Sequence, residues 1–311
     1  LFFSTTASYN TAIGYQAGQT GQEQNSVALG YQAGQLGQGY ISIALGYQAG
    51  QSTQGANAVA IGSNIQGTMG GSKYLTAIGH NINGGTSNSD AVLIGSSITA
   101  SGDVIVIGRG NVTVGQGIGI GASMPPMTSG YGNVLVGGSG YAKGGGFGRG
   151  SVAYGNYSKA DGGDSCAYGP NSNALNAGSI AIGSYAQVPA GTAGAIVIGS
   201  DSSIQASNQN CILIGNATAL GTGGANSSVI IGSNTSRSGD TSNSVQLGLL
   251  SNLGSSNTVA IGRQASATGG GGCAVGRNST ASGDNTFAST NSTAAHTSSA
   301  AFNGVTTTTS N

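Results

Sequence analysis

The stretch Asn25-Ser26-Val27-Ala28-Leu29-Gly30-Tyr31-Gln32-Ala33-Gly34-Gln35 decides the fold, because close copies of it lie on both sides. The copy at 12–19 reads AIGYQAGQ, and the copy at 44–51 reads ALGYQAGQ. Before each glycine, branched residues alternate with alanine, a period of two residues that is typical of a β-strand. Each copy therefore predicts a short strand that ends at a glycine.

The same unit recurs along the whole chain. A repeat this short cannot bury a hydrophobic face by itself, so successive copies must stack and share backbone hydrogen bonds. Degenerate copies at 286–290 and 300–303 continue the rhythm toward the C-terminus. The glycines that close the apolar triplets are Gly14, Gly30, Gly46, Gly62, Gly79, Gly95, Gly108, Gly121, Gly137, Gly155, Gly169, Gly183, Gly199, Gly215, Gly232, Gly248, Gly262 and Gly276.

These observations predict an all-β chain that forms a parallel β-solenoid, with about 14–16 residues per rung. Each rung reads strand, turn, strand, turn, and no segment has apolar residues at helical spacing. The closing glycine supplies the positive φ or close backbone approach that a sharp corner needs. We expect one continuous solenoid with regular 16-residue repeats at 1–108, irregular rungs with inserts at 109–155, and repeats of 14–16 residues with a C-terminal cap at 156–311.

The composition favours a thin structure of this kind. The chain has 60 Gly among 311 residues, no Trp and five Phe, so a thick core of large side chains is hard to build. Eight Lys plus Arg balance eight Asp plus Glu, and no basic stripe exists to neutralise phosphates or anionic lipids. No run of eighteen apolar residues occurs, so we expect neither a nucleic-acid partner nor a membrane span.

The alternation leaves two orientations of the strands open. If the branched residues face inward they form the core, whereas if alanine faces inward the branched residues form an apolar ridge on the outside. A ridge that long exceeds the apolar patch of an ordinary soluble monomer and would be an interface, buried most simply in a closed ring of parallel copies. The candidate core or oligomer row comprises Val27, Leu29, Val59, Ile61, Ile180, Ile182, Val259 and Ile261.

Three stretches carry a family resemblance: 25–30 (NSVALG), 178–183 (GSIAIG) and 257–262 (NTVAIG). They resemble the head repeats of YadA-like trimeric autotransporter adhesins, and the continuation RQASATG at 263–269 is similar too. The resemblance implies a left-handed β-roll, three chains side by side, and binding to host molecules at a surface. The GYQAGQ copies instead resemble repeats in the tail and capsid fibres of phages and large DNA viruses.

The sequence predicts no enzyme, no cofactor and no metal site. Eight acidic residues are scattered over the rungs, and the closest cluster is Asp161 and Asp164. A calcium-binding turn is one interpretation of that pair, and turn residues that bond their own backbone are the simpler one. His80 and His296 lie many rungs apart and cannot share a metal ion within one chain.

The cysteines predict no disulfide framework, because Cys166, Cys211 and Cys273 are odd in number and far apart. Cys166 and Cys273 stand where other copies carry valine. We therefore expect them to be small buried hydrophobic residues.

The segment 122–150 breaks the regular repeat and concentrates residue types that are sparse elsewhere. Inserts that interrupt a regular wall are candidates for specific binding, although a joint between two regular stretches explains the segment equally well. The candidate receptor-contact residues are Met124, Tyr131, Tyr141, Lys143, Phe147 and Arg149.

The function expected from the sequence is a structural or adhesive surface fibre, on a virion or outside the cell, that mediates attachment to a host protein or glycan. The expected partners are further copies of the chain, as a homotrimer with possible end-to-end assembly. Two alternatives stay open: a self-polymerising extracellular filament subunit, and the head of a bacterial trimeric autotransporter adhesin. For axial assembly, residues 1–3 and 306–309 are candidate caps or docking strands.

Overall fold

The computed structural model describes residues 9–66, 74–84, 90–110, 112–114, 116–123, 132–138, 141–142, 150–221, 226–237 and 241–307. Over these residues the regular secondary structure consists of β-strands with no helix, and the strands pair in parallel. The predicted all-β class and parallel β-solenoid are confirmed. The chain divides into two compact units, Leu1–Gly150 and Ser151–Asn311.

Unit 1 contains strands of 2–11 residues. Their bounds are β1 Thr11–Ile13, β2 Val27–Leu29, β3 Leu36–Gln38, β4 Ile43–Leu45, β5 Ser52–Gln54, β6 Val59–Gln66, β7 Leu75–Asn83, β8 Ala91–Ser101, β9 Val104–Arg109, β10 Val112–Val114, β11 Gly117–Ala122, β12 Asn133–Val136 and β13 Tyr141–Ala142.

The main sheet of unit 1 stacks one strand from each repeat. β1, β2, β4, β6, β7, β8, β9, β11 and β12 follow one another, each paired in parallel with the next. Equivalent residues therefore lie above one another, as in the pairing of Ile13 with Leu29 and of Leu29 with Leu45. Each strand position therefore forms a row of side chains along the coil, and successive positions face outward and inward in turn.

Unit 2 repeats this plan with shorter strands. Its strands are β14 Val152–Tyr154, β15 Lys159–Ala160, β16 Cys166–Tyr168, β17 Asn173–Ala174, β18 Ile180–Ile182, β19 Gln187–Val188, β20 Ile196–Ile198, β21 Ser203–Ile204, β22 Ile212–Ile214, β23 Ala219–Leu220, β24 Val229–Ile231, β25 Ser236–Arg237, β26 Val245–Leu247, β27 Asn252–Leu253, β28 Val259–Ile261, β29 Ser266–Ala267, β30 Cys273–Val275, β31 Thr280–Ala281, β32 Phe287–Ala288, β33 Thr293–Ala294, β34 Ala300–Ala301 and β35 Thr306–Thr307.

The even-numbered strands of unit 2 form its main sheet, and the odd-numbered strands pair among themselves on the other side of the coil. The degenerate copies expected near the C-terminus are confirmed, because β32 pairs with β30 and β34 pairs with β32. Thr306 and Thr307 form β35, which pairs with β33. Residues 1–3 and 308–309 lie outside the described residues.

Alanine faces the interior of the coil. Ala28, Ala44, Ala181 and Ala260 are completely buried, whereas Val27 and the other branched residues beside them are partly exposed. Rungs with alanine at the inward position leave little volume between the sheets, whereas β8, β20 and β22 bury a larger Leu or Val there. Each rung leaves its outward pair of side chains on the outside. This resolves the two orientations that the alternation left open.

The closing glycines make the sharp corners that the sequence predicts. Gly14 has a φ of 133°, and Gly30 has a φ of 130°. A Cβ added to Gly14 would overlap the carbonyl oxygen of Gly30 in the next rung. Side chains are thus excluded both by the backbone conformation and by the close approach of the next rung.

A buried Ser or Thr three residues after the closing glycine completes several of these corners. Ser158 Oγ donates to the Gly155 carbonyl at 2.9 Å, and Ser279 Oγ donates to the Gly276 carbonyl at 2.9 Å. The residue before each of these serines, Tyr157 or Asn278, has a positive φ near 55°. The hydroxyl thus gives the corner carbonyl a hydrogen-bond donor from within the same turn.

Three glutamines lie inside the first rungs of unit 1, which the sequence analysis did not foresee. Gln22, Gln38 and Gln54 are at most 4% exposed. The Gln38 amide nitrogen donates to the Val27 carbonyl at 2.8 Å, and that of Gln54 donates to the Ile43 carbonyl at 2.8 Å. Long amide side chains thus fill the space beside the small alanines.

Candidate self-association face

The outward side of the main sheet carries two parallel columns of side chains, here called the outer face. In unit 1 the first column is Thr11, Val27, Ile43, Val59, Thr76, Val92, Ile105, Ile118 and Val134, and the second is Ile13, Leu29, Leu45, Ile61, Ile78, Ile94, Ile107, Ile120 and Val136.

The outer face of unit 2 has the same construction. Its first column is Val152, Cys166, Ile180, Ile196, Ile212, Val229, Val245, Val259, Cys273, Phe287 and Ala300, and its second is Tyr154, Tyr168, Ile182, Ile198, Ile214, Ile231, Leu247, Ile261 and Val275. The column positions of both units hold no charged residue. No charge repulsion therefore opposes the approach of a second apolar surface.

The outer face is large for a protein surface. Leu29, Ile107 and Ile120 are 37–39% exposed, and Ile13 is 59% exposed. Nine rungs about 4.8 Å apart, with columns about 7 Å apart, give unit 1 an apolar strip on the order of 300 Å². Soluble monomers rarely expose contiguous patches larger than this unless the patch binds something.

Tyrosines border the outer face of unit 1 on the side where the strands end. Tyr15, Tyr31 and Tyr47 directly follow the closing glycines, and their rings stack with centroids 5.3 and 5.2 Å apart. We call this column the trailing border. The three rings are 42–64% exposed, so they present a continuous aromatic edge next to the apolar columns.

Glutamine amides form a ladder just beyond these rings. The Gln32 amide nitrogen donates to Gln16 Oε1 at 2.8 Å, and Gln48 donates to Gln32 Oε1 at 2.9 Å. Gln35 donates to Gln16 and Gln19 at 3.1 and 2.9 Å. These bonds fix the corner that carries the tyrosines, as in the amide and aromatic ladders of stacked β-structures.

A second border lies on the side where the strands begin, two residues before the first-column residue of each rung. In the first five rungs this leading border consists of Tyr9, Asn25, Ile41, Asn57 and Tyr74, and all five have a positive φ between 52° and 71°. The later rungs of unit 1 have Asp90, Asp103, Gln116 and Gly132 at this position. Tyr9 is 88% exposed, Ile41 is 48% exposed and Tyr74 is 59% exposed. The outer face of the first rungs is therefore bounded by large apolar side chains on both sides.

The candidate residues from the sequence fall as follows. Val27, Leu29, Val59, Ile61, Ile180, Ile182, Val259 and Ile261 all lie on the outer face, at equivalent positions of their rungs. Tyr141 belongs to β13, and its side chain lies outside the described residues. Met124, Tyr131, Lys143, Phe147 and Arg149 also lie outside them.

The expectation for two cysteines was wrong in part. Cys166 and Cys273 occupy valine positions, since Cys166 pairs with Val152 and Cys273 pairs with Val259. They are half-buried rather than buried, because that column faces outward. Burial nevertheless raises the pKa of both thiols. Cys211 is the fully buried cysteine, and its thiol contacts the Gln209 carbonyl at 3.4 Å.

Polar chemistry on the described residues is sparse. Ser63 Oγ lies 2.7 Å from His80 Nδ1 on an exposed part of unit 1. Asp164 has a φ of 55° and lies at a corner, as expected for a turn residue. Within the described ranges, no group of three or more His, Cys, Asp and Glu side chains is placed to hold a metal ion.

The search for membrane-spanning helices in the described part of the chain finds none that is long and apolar enough. Comparison with protein-family models and with curated proteins gives no match.

Proposed function

We propose that this chain is a structural and adhesive surface fibre protein. Copies associate side by side in parallel through the outer face, as a homotrimer, and display the solenoid on a virion or outside the cell for attachment to a host protein or glycan. The observation that supports the proposal is the uncharged apolar outer face, which runs along every rung of each unit.

The outer face is large enough to hold copies together. At about 25 cal/mol per Å², burial of the strip on unit 1 contributes on the order of 10 kcal/mol before the costs of association. Those costs are of similar size, so a strip of this area supports association only when it is well packed. Two columns of branched side chains in strict register provide regular ridges for such packing.

A second copy of the same chain is the best partner for this face. The columns repeat at about 4.8 Å along the coil, and only a surface with the same repeat keeps every branched residue in contact. Parallel copies of the same chain have the same spacing between rungs. Closed rings of such copies bury the face fully, and they end growth at a defined number of chains.

A filament subunit is the second candidate function. Among the described strands β35 pairs with β33 alone, so its other edge is without a strand partner there. An unpaired edge is a template for the strand of another copy, and axial assembly through it gives a polymer. An autotransporter head is the version of the first proposal that the family resemblance suggests.

Mass in dilute solution tests the proposal and separates the two candidates. Sedimentation should give a single species of three chains, whereas a broad distribution of long polymers favours the filament. The variant Ile198→Asp places a charge on the outer face and should sediment as a monomer with an unchanged circular dichroism spectrum. Ser203→Asp on β21 adds the same charge on the opposite sheet and should remain trimeric.

Attachment is tested separately through the insert. Replacing Tyr131, Lys143, Phe147 and Arg149 together by serine should abolish binding to host cells and leave the trimer mass unchanged. Unchanged binding would exclude the insert as the contact and direct the search to the regular rungs.

A further inference from the structure

The two borders of the outer face differ between the units. At the leading position unit 2 and the later rungs of unit 1 have polar residues or residues that favour turns, whereas the first five rungs of unit 1 alternate large and small side chains. Tyr9, Ile41 and Tyr74 are the large ones, and Asn25 and Asn57 lie between them. The equivalent residues of unit 2 are Asp164, Gly178, Gly194, Asn210, Ser227, Asn243, Asn257, Gly271, Asn285 and Ser298.

Ile41 is strained at this position. Its φ of 52° places a β-branched residue in the left-handed region, which Asn25 and Asn57 tolerate much better. Burial within the chain does not compensate for this strain, because Ile41 is 48% exposed. An exposed apolar residue that is also β-branched has the largest strain in this conformation, and this combination indicates a contact outside the chain.

The trailing border shows the same difference. In unit 1 it carries the stacked Tyr15, Tyr31 and Tyr47, whose rings lose little conformational freedom on binding because stacking already holds them. The equivalent residues of unit 2 are Asn156, Pro170, Ser184, Ser200, Asn216, Ser233, Leu249, Arg263 and Arg277. Large apolar side chains thus occur on both borders in the first rungs, and mostly polar ones replace them in unit 2.

The direction of the strands decides which borders meet. When parallel copies place their outer faces together, the side where the strands end on one copy lies against the side where they begin on the next. In an antiparallel pair, each border instead meets its own equivalent. The trailing tyrosines of one copy and the leading residues of a parallel neighbour are therefore brought together.

We propose that parallel copies of this chain form an aromatic seam, in which Tyr15 of one copy packs against Tyr9 of its neighbour, Tyr31 lies beside Asn25, and Tyr47 packs against Ile41. The inference rests on the proposed self-association and specifies its contacts. In the seam Ile41 gains a burial that its own chain does not provide. Asn25 leaves a notch between the large Tyr9 and Ile41 for the ring of Tyr31.

The seam has a role that the apolar columns cannot fill. Columns of Ile and Val look almost the same after a shift of one rung, so they hold copies together without fixing their axial register. The alternating leading border repeats only every second rung, and large residues occupy it only in the first rungs. Packing it against the trailing tyrosines therefore disfavours a shift by one rung. The seam thus selects against a one-rung slip between neighbouring copies.

Cross-linking between two different variants tests the seam. In a background of Cys166→Val, Cys211→Ala and Cys273→Val, one chain carries Ile41→Cys and the other Tyr47→Cys, which lie in the same rung. After the chains are refolded together, a short bismaleimide should link the two variants to each other. Ile41→Cys with Tyr31→Cys, one rung apart, should link several-fold less.

The outcomes separate the seam from the association itself. Linkage of Ile41→Cys chains to one another would show antiparallel copies, and equal linkage to positions 31 and 47 would show that the register slips. Either result, or trimers without any linkage between variants, overturns the seam and leaves the proposed function standing. A monomeric protein overturns both.

A second measurement uses the strain at Ile41. Ile41→Asn restores the residue of the neighbouring corners, so the isolated chain should melt at the same or a higher temperature. Its trimer should dissociate at a concentration at least tenfold higher. Tyr185→Asn, which removes a 55% exposed aromatic residue with a φ of 57° from a corner of unit 2, is the matched control and should leave dissociation unchanged. Equal effects of the two variants would refute the seam.

Discussion

Single glycines limit which residues the corners accept. Gly183 has a φ of 130°, and an added Cβ would overlap the carbonyl oxygen of Gly199. Gly178, in the same rung, has a φ of 65° and nothing within 4 Å of an added Cβ. Two glycines with positive φ thus differ in the space around them.

This difference predicts unequal costs for the same substitution. Gly178→Ala should lower the free energy of unfolding by about 1 kcal/mol, the cost of alanine in the left-handed region. Gly183→Ala should lower it by about 3 kcal/mol or more, because strain is added to a steric overlap. Urea unfolding of both variants measures the two values. Equal values would mean that the rungs are spaced more loosely than described.

Several residue positions were predictable from the sequence, and others were not. The corner role of Gly30 follows from its place after an alternating triplet. The sequence does not show whether Ala28 or Val27 faces inward, because the same alternation fits both orientations. The choice depends on the distance between the sheets. Gln38 was missed because an amide side chain is expected to face solvent, whereas here it is buried near the small Ala28 and donates to a backbone carbonyl.

A whole rung is the unit that can be removed from this fold without changing the pairing of the others. Val27 pairs with Ile43, and Ile43 pairs with Val59, so the three rungs have the same register. Removal of residues 30–45 joins Leu29 to Gly46 and brings Val27 opposite Val59. In a linear array each rung contacts only its neighbours, so one such contact is lost and the rest stay.

The 16-residue deletion should therefore fold, with a β-type circular dichroism spectrum and a melting temperature within a few degrees of the full chain. Deletion of half a rung, residues 30–37, is the control. It leaves too few residues to cross both sides of the coil, and the next strand arrives on the wrong side. Loss of the β-spectrum is expected there. A half-rung deletion that is as stable as the 16-residue deletion would contradict the stacked register.

At the level of elements, the main-sheet strands were predictable because their triplets alternate clearly. The strands of the second sheet were harder, since β15, β17 and β19 are only two residues long. β8 runs for 11 residues from Ala91 to Ser101 and continues through the corner at Ser97, whose φ is 56°. Neither the two-residue strands nor the continuation of β8 through its corner produces an alternation of apolar and polar residues long enough to be recognised in the sequence.

For the molecule as a whole, the sequence indicated a continuous row of branched apolar residues but did not show whether this row lies inside or outside the coil. The coordinates add the borders, which the sequence did not separate from ordinary turns. Tyr9, Ile41 and Tyr74 are 32 and 33 residues apart, so their shared column becomes visible only once the rungs are aligned. Any partner that covers the outer face also covers the two cysteines that lie on it.

Cysteine labelling therefore locates the interface within the assembly. At a protein concentration where the chain is a monomer, iodoacetamide should label the half-exposed Cys166 and Cys273, while the buried Cys211 stays unlabelled. Because burial raises the pKa of both outer thiols, labelling should be slow at neutral pH and should speed up as the pH rises through the alkaline range.

At concentrations where the trimer forms, labelling of Cys166 and Cys273 should slow at least tenfold, because the neighbouring copies exclude the reagent from the outer face. Ile198→Asp should restore the monomer rate at both sites under the same conditions, since it removes the assembly without unfolding the chain. A trimer whose Cys166 and Cys273 react at the monomer rate would place the contact between copies on another surface of the solenoid.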